Sequence, residues 1–89
     1  MDNNFSYENM SVAGTYTLKP AMGYLHTLTV NTTAAGTITI YDNASAASGK
    51  KIATLKSSIA EQTFIFDLEF SKGLTIVLAA ASDVTVSFT

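Results

Sequence analysis

The sequence has no cysteine, no tryptophan and no arginine, and only one proline and one histidine. Without cysteine there are no disulfides and no thiolate metal sites, and compartment cannot be argued from redox chemistry. A single histidine makes a His-based zinc site implausible. The five lysines (Lys19, Lys50, Lys51, Lys56 and Lys72) form no basic stripe along the chain, and the net charge is −2. Nucleic-acid binding therefore has no electrostatic footing. The polar N-terminus lacks the positive stretch of a signal peptide, so none is expected. The longest apolar run, 74–81, is far too short to cross a bilayer. Charged residues make up 13% of the chain, against a usual share of about 25%. The length of 89 residues implies one domain. A chain this short buries roughly 60–65% of its unfolded surface. Small domains of this kind lean on disulfides, metals or partner subunits. The first two are excluded here, which leaves association with other chains.

What the sequence does have is threonine alternating with apolar residues. The branched Cβ of threonine favours extended backbone. Its hydroxyl tolerates water but adds no charge that would be costly to bury. Period-two patterns predict strands at 12–18, 23–31, 36–42, 51–57, 62–70, 74–81 and 83–89. In the second of these, Tyr24, His26, Leu28 and Val30 share one face, with Leu25, Thr27, Thr29 and Asn31 on the other. The gap before the third strand suits a hairpin in which Gly36 takes a positive φ. The run at 74–81 is apolar on both faces and reads as a central strand covered on both sides. No stretch holds a helical period. About seven to eight strands with turns roughly every ten residues predict an antiparallel β-sandwich or jelly-roll-like domain over 12–89. The expected core is Leu28, Val30, Ile38, Ile40, Leu55, Phe64, Phe66, Leu68, Leu74, Ile76, Leu78, Val84, Val86 and Phe88. Residues 1–11 read as a polar arm, either a frayed terminus or a segment that docks Phe5, Tyr7 and Met10 on a neighbouring subunit.

Little in the chain can do chemistry. His26 falls on the inward face and reads as a hydrogen-bonded residue at the edge of the core. No nucleophile-elbow pattern surrounds the serines. Asp67 and Glu69 share one strand face, which reads as solvated charge rather than an acid–base pair. No calcium-loop spacing occurs. No catalytic residue, metal or cofactor is expected, and the chain does not read as an enzyme. The threonines Thr27, Thr29, Thr37 and Thr39, with Tyr41, form a candidate contact face. Tyr7, Tyr16, Tyr24 and Tyr41 could instead offer a sugar-stacking platform, with Tyr41 the best candidate.

Four segments carry a resemblance: GYLHTLTVN (23–31), GTITIYDN (36–43), KGLTIVLA (72–79) and DVTVSF (83–88). Over roughly 23–89 the chain resembles the small virion structural proteins of tailed bacteriophages. Strands ending in Tyr-Asp, a Gly-Leu entry to an apolar strand and a closing Val-Thr-Val strand recur in that group. The resemblance implies a capsid decoration (cement) protein on the virion surface, made in the bacterial cytoplasm. Such a protein bridges the major capsid protein and copies of itself as a dimer or trimer. Two alternatives stand beside it: a carbohydrate- or receptor-binding or structural module of a phage tail or fibre, and a secreted bacterial sandwich. The resemblance assigns no site residue, because catalysis does not define the group.

Overall fold

The computed structural model of the protein describes residues 5–89. It contains eight strands: β1 (Ser6–Met10), β2 (Gly14–Lys19), β3 (Gly23–Thr32), β4 (Ile38–Asp42), β5 (Lys50–Leu55), β6 (Thr63–Phe70), β7 (Leu74–Leu78) and β8 (Asp83–Phe88). They form two four-stranded antiparallel sheets packed as a sandwich, ordered β1-β8-β3-β6 and β2-β7-β4-β5. Within the sheets β1 pairs with β8, β2 with β7, β3 with β6 and β4 with β5. This is the pairing of one long hairpin rolled up, which is the jelly-roll order. A short connection joins the two members of each layer pair, so β1 lies over β2, β8 over β7, β3 over β4 and β6 over β5.

The alternation of apolar and polar residues explains most of this. On β8, Val84, Val86 and Phe88 point inward and are buried. On β4 and β7, Ile38, Ile40, Leu74, Ile76 and Leu78 fill the facing layer, each no more than 1% exposed. β7 is central in its sheet, between β2 and β4, as its apolar run implies.

Several sequence expectations are corrected. Residues 1–11 are not an arm over their described part, because Ser6–Met10 is the edge strand β1, paired along its length with β8. Met10 belongs to the core at 4% exposure and is not free for a neighbouring subunit. The polar composition of β1 hid it, since an edge strand needs only one buried anchor. β3 and β4 do not form a hairpin; they lie in different sheets and the connection crosses between layers. Gly36 sits in that crossing without a positive φ. Its need is space, because a Cβ there would lie 2.6 Å from the Cβ of Ala80 and 2.7 Å from its backbone nitrogen.

The β3 face assignment holds from Thr27 onward and is reversed for Tyr24, Leu25 and His26. Both ladders that flank β3 shift register between Leu25 and Thr27. This bulge leaves His26 and Thr27 outside and turns Leu25 inward at 0% exposure. Phe64, Phe66 and Leu68 point inward as expected but are only partly buried, because β6 is an edge strand. Phe70, at the end of the same strand, is fully buried.

This difference along one strand is measurable. Phe70→Ala is expected to cost about 3–5 kcal/mol in urea denaturation, as for a filled core position. Phe66→Ala should cost less, because its ring is only partly buried. Equal losses would refute the partial burial of the β6 row.

Candidate functional site

The outer face of the first sheet carries an ordered arrangement of polar side chains. Cross-strand register lines up two rows over its middle. One is Tyr7, Ser87, Thr27 and Ile65; the other is Asn9, Thr85, Thr29 and Thr63. None of the eight residues is charged. Their polar atoms are largely paired sideways. The Thr27 and Ser87 hydroxyls are 2.6 Å apart, and those of Thr29 and Thr63 are 2.9 Å apart. Asn9 and Asn31 each donate to the Thr85 hydroxyl, at 3.1 and 3.0 Å. Covering such a face strands few hydrogen-bonding groups, so its desolvation cost is low. Tyr7 and Ile65, 73% and 71% exposed, bracket the first row with apolar surface.

Charge is confined to the two ends of this face. At one end Asp83 accepts hydrogen bonds from Asn9 and Asn31. At the other, the β3 bulge brings His26 Nδ1 to 2.5 Å from Asp67 Oδ1. Asp67 holds a left-handed φ of 47°, which a non-glycine residue adopts at some cost. The Phe5 ring stacks on His26 at a centroid distance of 4.4 Å and lies 6.2 Å from Tyr24. Partial desolvation, followed by the negative charges of Asp67 and Glu69, raises the Tyr24 phenol above its ordinary pKa. His26 is therefore an outward residue oriented by a carboxylate, not an inward one. The bulge that moved it leaves no mark in the local residue pattern.

The candidate residues named from sequence separate onto different surfaces. Thr27, Thr29, Tyr7 and Phe5 lie on the outside of the first sheet. Thr39 and Tyr41 lie on the outside of the second, and Thr37 precedes β4 in the crossing connection. The threonines thus form two outer faces rather than one ladder. On the second face Thr17 and Thr75 hydroxyls are 3.1 Å apart, and Thr75 also donates to the Asn43 carbonyl. The tyrosines do not share one face: Tyr16 packs inward against the core, Tyr41 is on the outside of the second sheet, and Tyr7 and Tyr24 are on the outside of the first, where Tyr24 neighbours the Phe5–His26 stack. Ile65 lies on the outer face with Asp67 and Glu69, as its alternation with Phe64 and Phe66 implies, but was not among the contact residues named from sequence.

One carboxylate has a structural role. Asp42, 7% exposed, accepts from the backbone N–H of Ser71, Lys72 and Gly73 and from the Ser71 hydroxyl. It thereby fixes the β6–β7 turn to the end of β4. Asn43 beside it accepts from the amides of Ser45 and Ala46, the local turn its sequence suggests. Burial pushes the Asp42 pKa up, but the four donors outweigh it and hold the value at about 2.

No protein-family model matches this sequence, and a search of curated proteins gives no match. The fold and faces define an all-β sandwich of jelly-roll order with two broad outer surfaces, the first of them uncharged at its centre.

The Asp42 group fixes a pH window. A carboxylate depressed from 3.8 to about 2 contributes stability that is complete above the higher value and disappears as pH falls through the lower one. Asp42→Asn should therefore lower stability at neutral pH by on the order of 1–2 kcal/mol. The gap between variant and wild type should close below the lower pKa. A pH series of thermal melts checks this, and a gap that persists in acid would refute it.

Proposed function

We propose that this chain is a non-enzymatic structural protein of a virus particle, of the capsid-decoration (cement) type. It works by adhering to the major capsid protein and to copies of itself. The observation that carries the reading is the uncharged centre of the first sheet's outer face, with its hydroxyls and amides already paired to one another. A surface built to stay in water would ordinarily carry interspersed charge. Here the molecule is a slab of 35 × 29 × 17 Å, so its two broad faces make up much of its exterior. Both carry several threonines.

The mechanism is cohesion. Neutral, laterally bonded side chains cost little to cover, and Tyr7 and Ile65 add apolar area worth about 1.5–3 kcal/mol each when fully buried. Each joint is weak. Repetition over a closed lattice turns weak joints into a stable shell through effective concentration. Jelly rolls serve in capsids and lectins alike, so the fold supports the reading only by analogy.

Co-sedimentation with capsids of the parent phage tests the proposal. Wild type at micromolar concentration is expected to pellet with capsids. Thr27→Asp, which sets a charge in the middle of the face, should reduce the bound fraction at least about tenfold, as the burial of an unpaired charge implies. Wild type that stays in the supernatant would overturn the reading. Deleting residues 1–11 is a poor substitute for this test, since it removes β1 from the sheet.

A further inference from the structure

The sandwich has two sides where sheet edges meet solvent, and they differ. Along the β1–β2 side Met10 is buried, while Tyr16 and Leu18 are partly buried, the Tyr16 hydroxyl donating to the Val12 carbonyl. The inward position of β1 next to Met10 in the alternation is Glu8, which is exposed. A charge aimed inward on an edge strand discourages further pairing. Along the β5–β6 side a longer partly buried apolar row reaches the edge: Phe64, Phe66 and Leu68 of β6 and Ile52 of β5 pack against the core without being sealed by it, and Leu55 of β5 is buried. Ile65, on the outer side of the same edge, is largely exposed.

Both strands of this side are charged at the same end. Lys50 pairs in register with Asp42, and the Asp42 carboxylate binds the amides of Ser71 and Lys72. At Gly73 the β6–β7 turn presses on this end closely enough that a Cβ would meet Ala44 Cα at 2.6 Å. Lys50 and Lys51 therefore stand level with the end of β6. There Asp67 and Glu69 point outward from the other sheet. At the opposite end β5 runs into Lys56, and β6 is preceded by Glu61.

We propose that the β5–β6 side is the interface of a two-fold dimer of this chain, with β6 of each copy lying antiparallel along β5 of the other. Charge selects this arrangement. A two-fold axis parallel to the strands sets Asp67 and Glu69 of one copy against Lys50 and Lys51 of the second, and does so twice. An axis perpendicular to the strands sets β5 on β5 and β6 on β6. It brings Lys50 and Lys51 toward Lys56, and Glu69 toward Glu61. The same charges thus oppose like-strand pairing and favour the mixed one. The dimer covers the half-buried phenylalanines and joins each first sheet to the second sheet of its partner. The inference deepens the self-association within the proposed function and rests on that part alone. Its test contains no capsid, so failure here and failure of capsid binding are separate results.

The lack of cysteine makes the test clean. Single variants Lys51→Cys and Glu69→Cys are oxidised separately and mixed. Covalent dimer should form in the mixture and not in either variant alone. In sedimentation equilibrium the wild type should be a dimer at tens of micromolar. Lys51→Glu should raise the dimer Kd at least about tenfold, and Lys51→Glu combined with Glu69→Lys should restore it. All these positions are exposed, and circular dichroism checks that the fold is kept. A monomeric wild type, a dimer indifferent to charge reversal, or Lys51→Cys cross-linking to itself as readily as to Glu69→Cys would each overturn the proposal.

Discussion

The constraint behind the rest of the structure is that two sheets, each apolar on one face, have only each other for cover. A chain of this length cannot add a third layer, and it has no cysteine with which to staple what remains open. The central strands β3, β4, β7 and β8 gain full burial from this arrangement, as Leu28, Ile40, Ile76 and Val86 show. The edge strands gain only part of it. Phe70 is sealed where its ring packs against Gly23 of β3, whereas Phe64, Phe66 and Leu68 along the same strand remain partly exposed. Partial burial at the edges thus follows from sheet width, and Tyr16 and Leu18 of β2 share it.

The outer faces obey a second constraint. Threonine suits the strand backbone, and its hydroxyl must bond to something when water leaves. In this molecule neighbouring strands supply the partner, as in the Thr27–Ser87, Thr29–Thr63 and Thr17–Thr75 pairs. Those pairs do two things at once: they tie strands together across each sheet, and they leave a surface with few unmet hydrogen bonds. Such a surface can face water or protein at similar cost. A face of lysine and glutamate could not.

The sandwich was legible in the residues because period-two alternation reports directly which side chains must be buried, and turn residues mark where strands stop. What escaped was non-local. Nothing near His26 announces a bulge, since the register shift is set by β6 and β8 on either side. One slipped position moved Leu25 into the core and His26 out to Asp67. Ser6–Met10 looked like an arm because only Met10 needs burying on an edge. Gly36 invited a turn reading, although its function is to let the crossing connection pass Ala80. The contact face assumed from consecutive threonines was divided between two sheets for the same reason: β3 and β4 are neighbours in sequence but lie in opposite layers.

The same non-locality changes the meaning of the charges. Along the sequence the lysines form no stripe. The fold gathers Lys19, Lys50, Lys51 and Lys72 at one end, because the β2–β3, β4–β5 and β6–β7 turns meet there around Gly73. Asp42 keeps those turns in place through its backbone donors, so the carboxylate least available to solvent sets where the exposed cations stand. On the first sheet, Asp67 and Glu69 occupy the matching level of β6. An edge that combines partly exposed phenylalanine with charge of one sign, beside an edge of the other sign, is poorly suited to water and poorly suited to its own like. It is well suited to the reversed copy of itself, and in that way the apolar deficit of a narrow sandwich and its sparse charges describe a single surface.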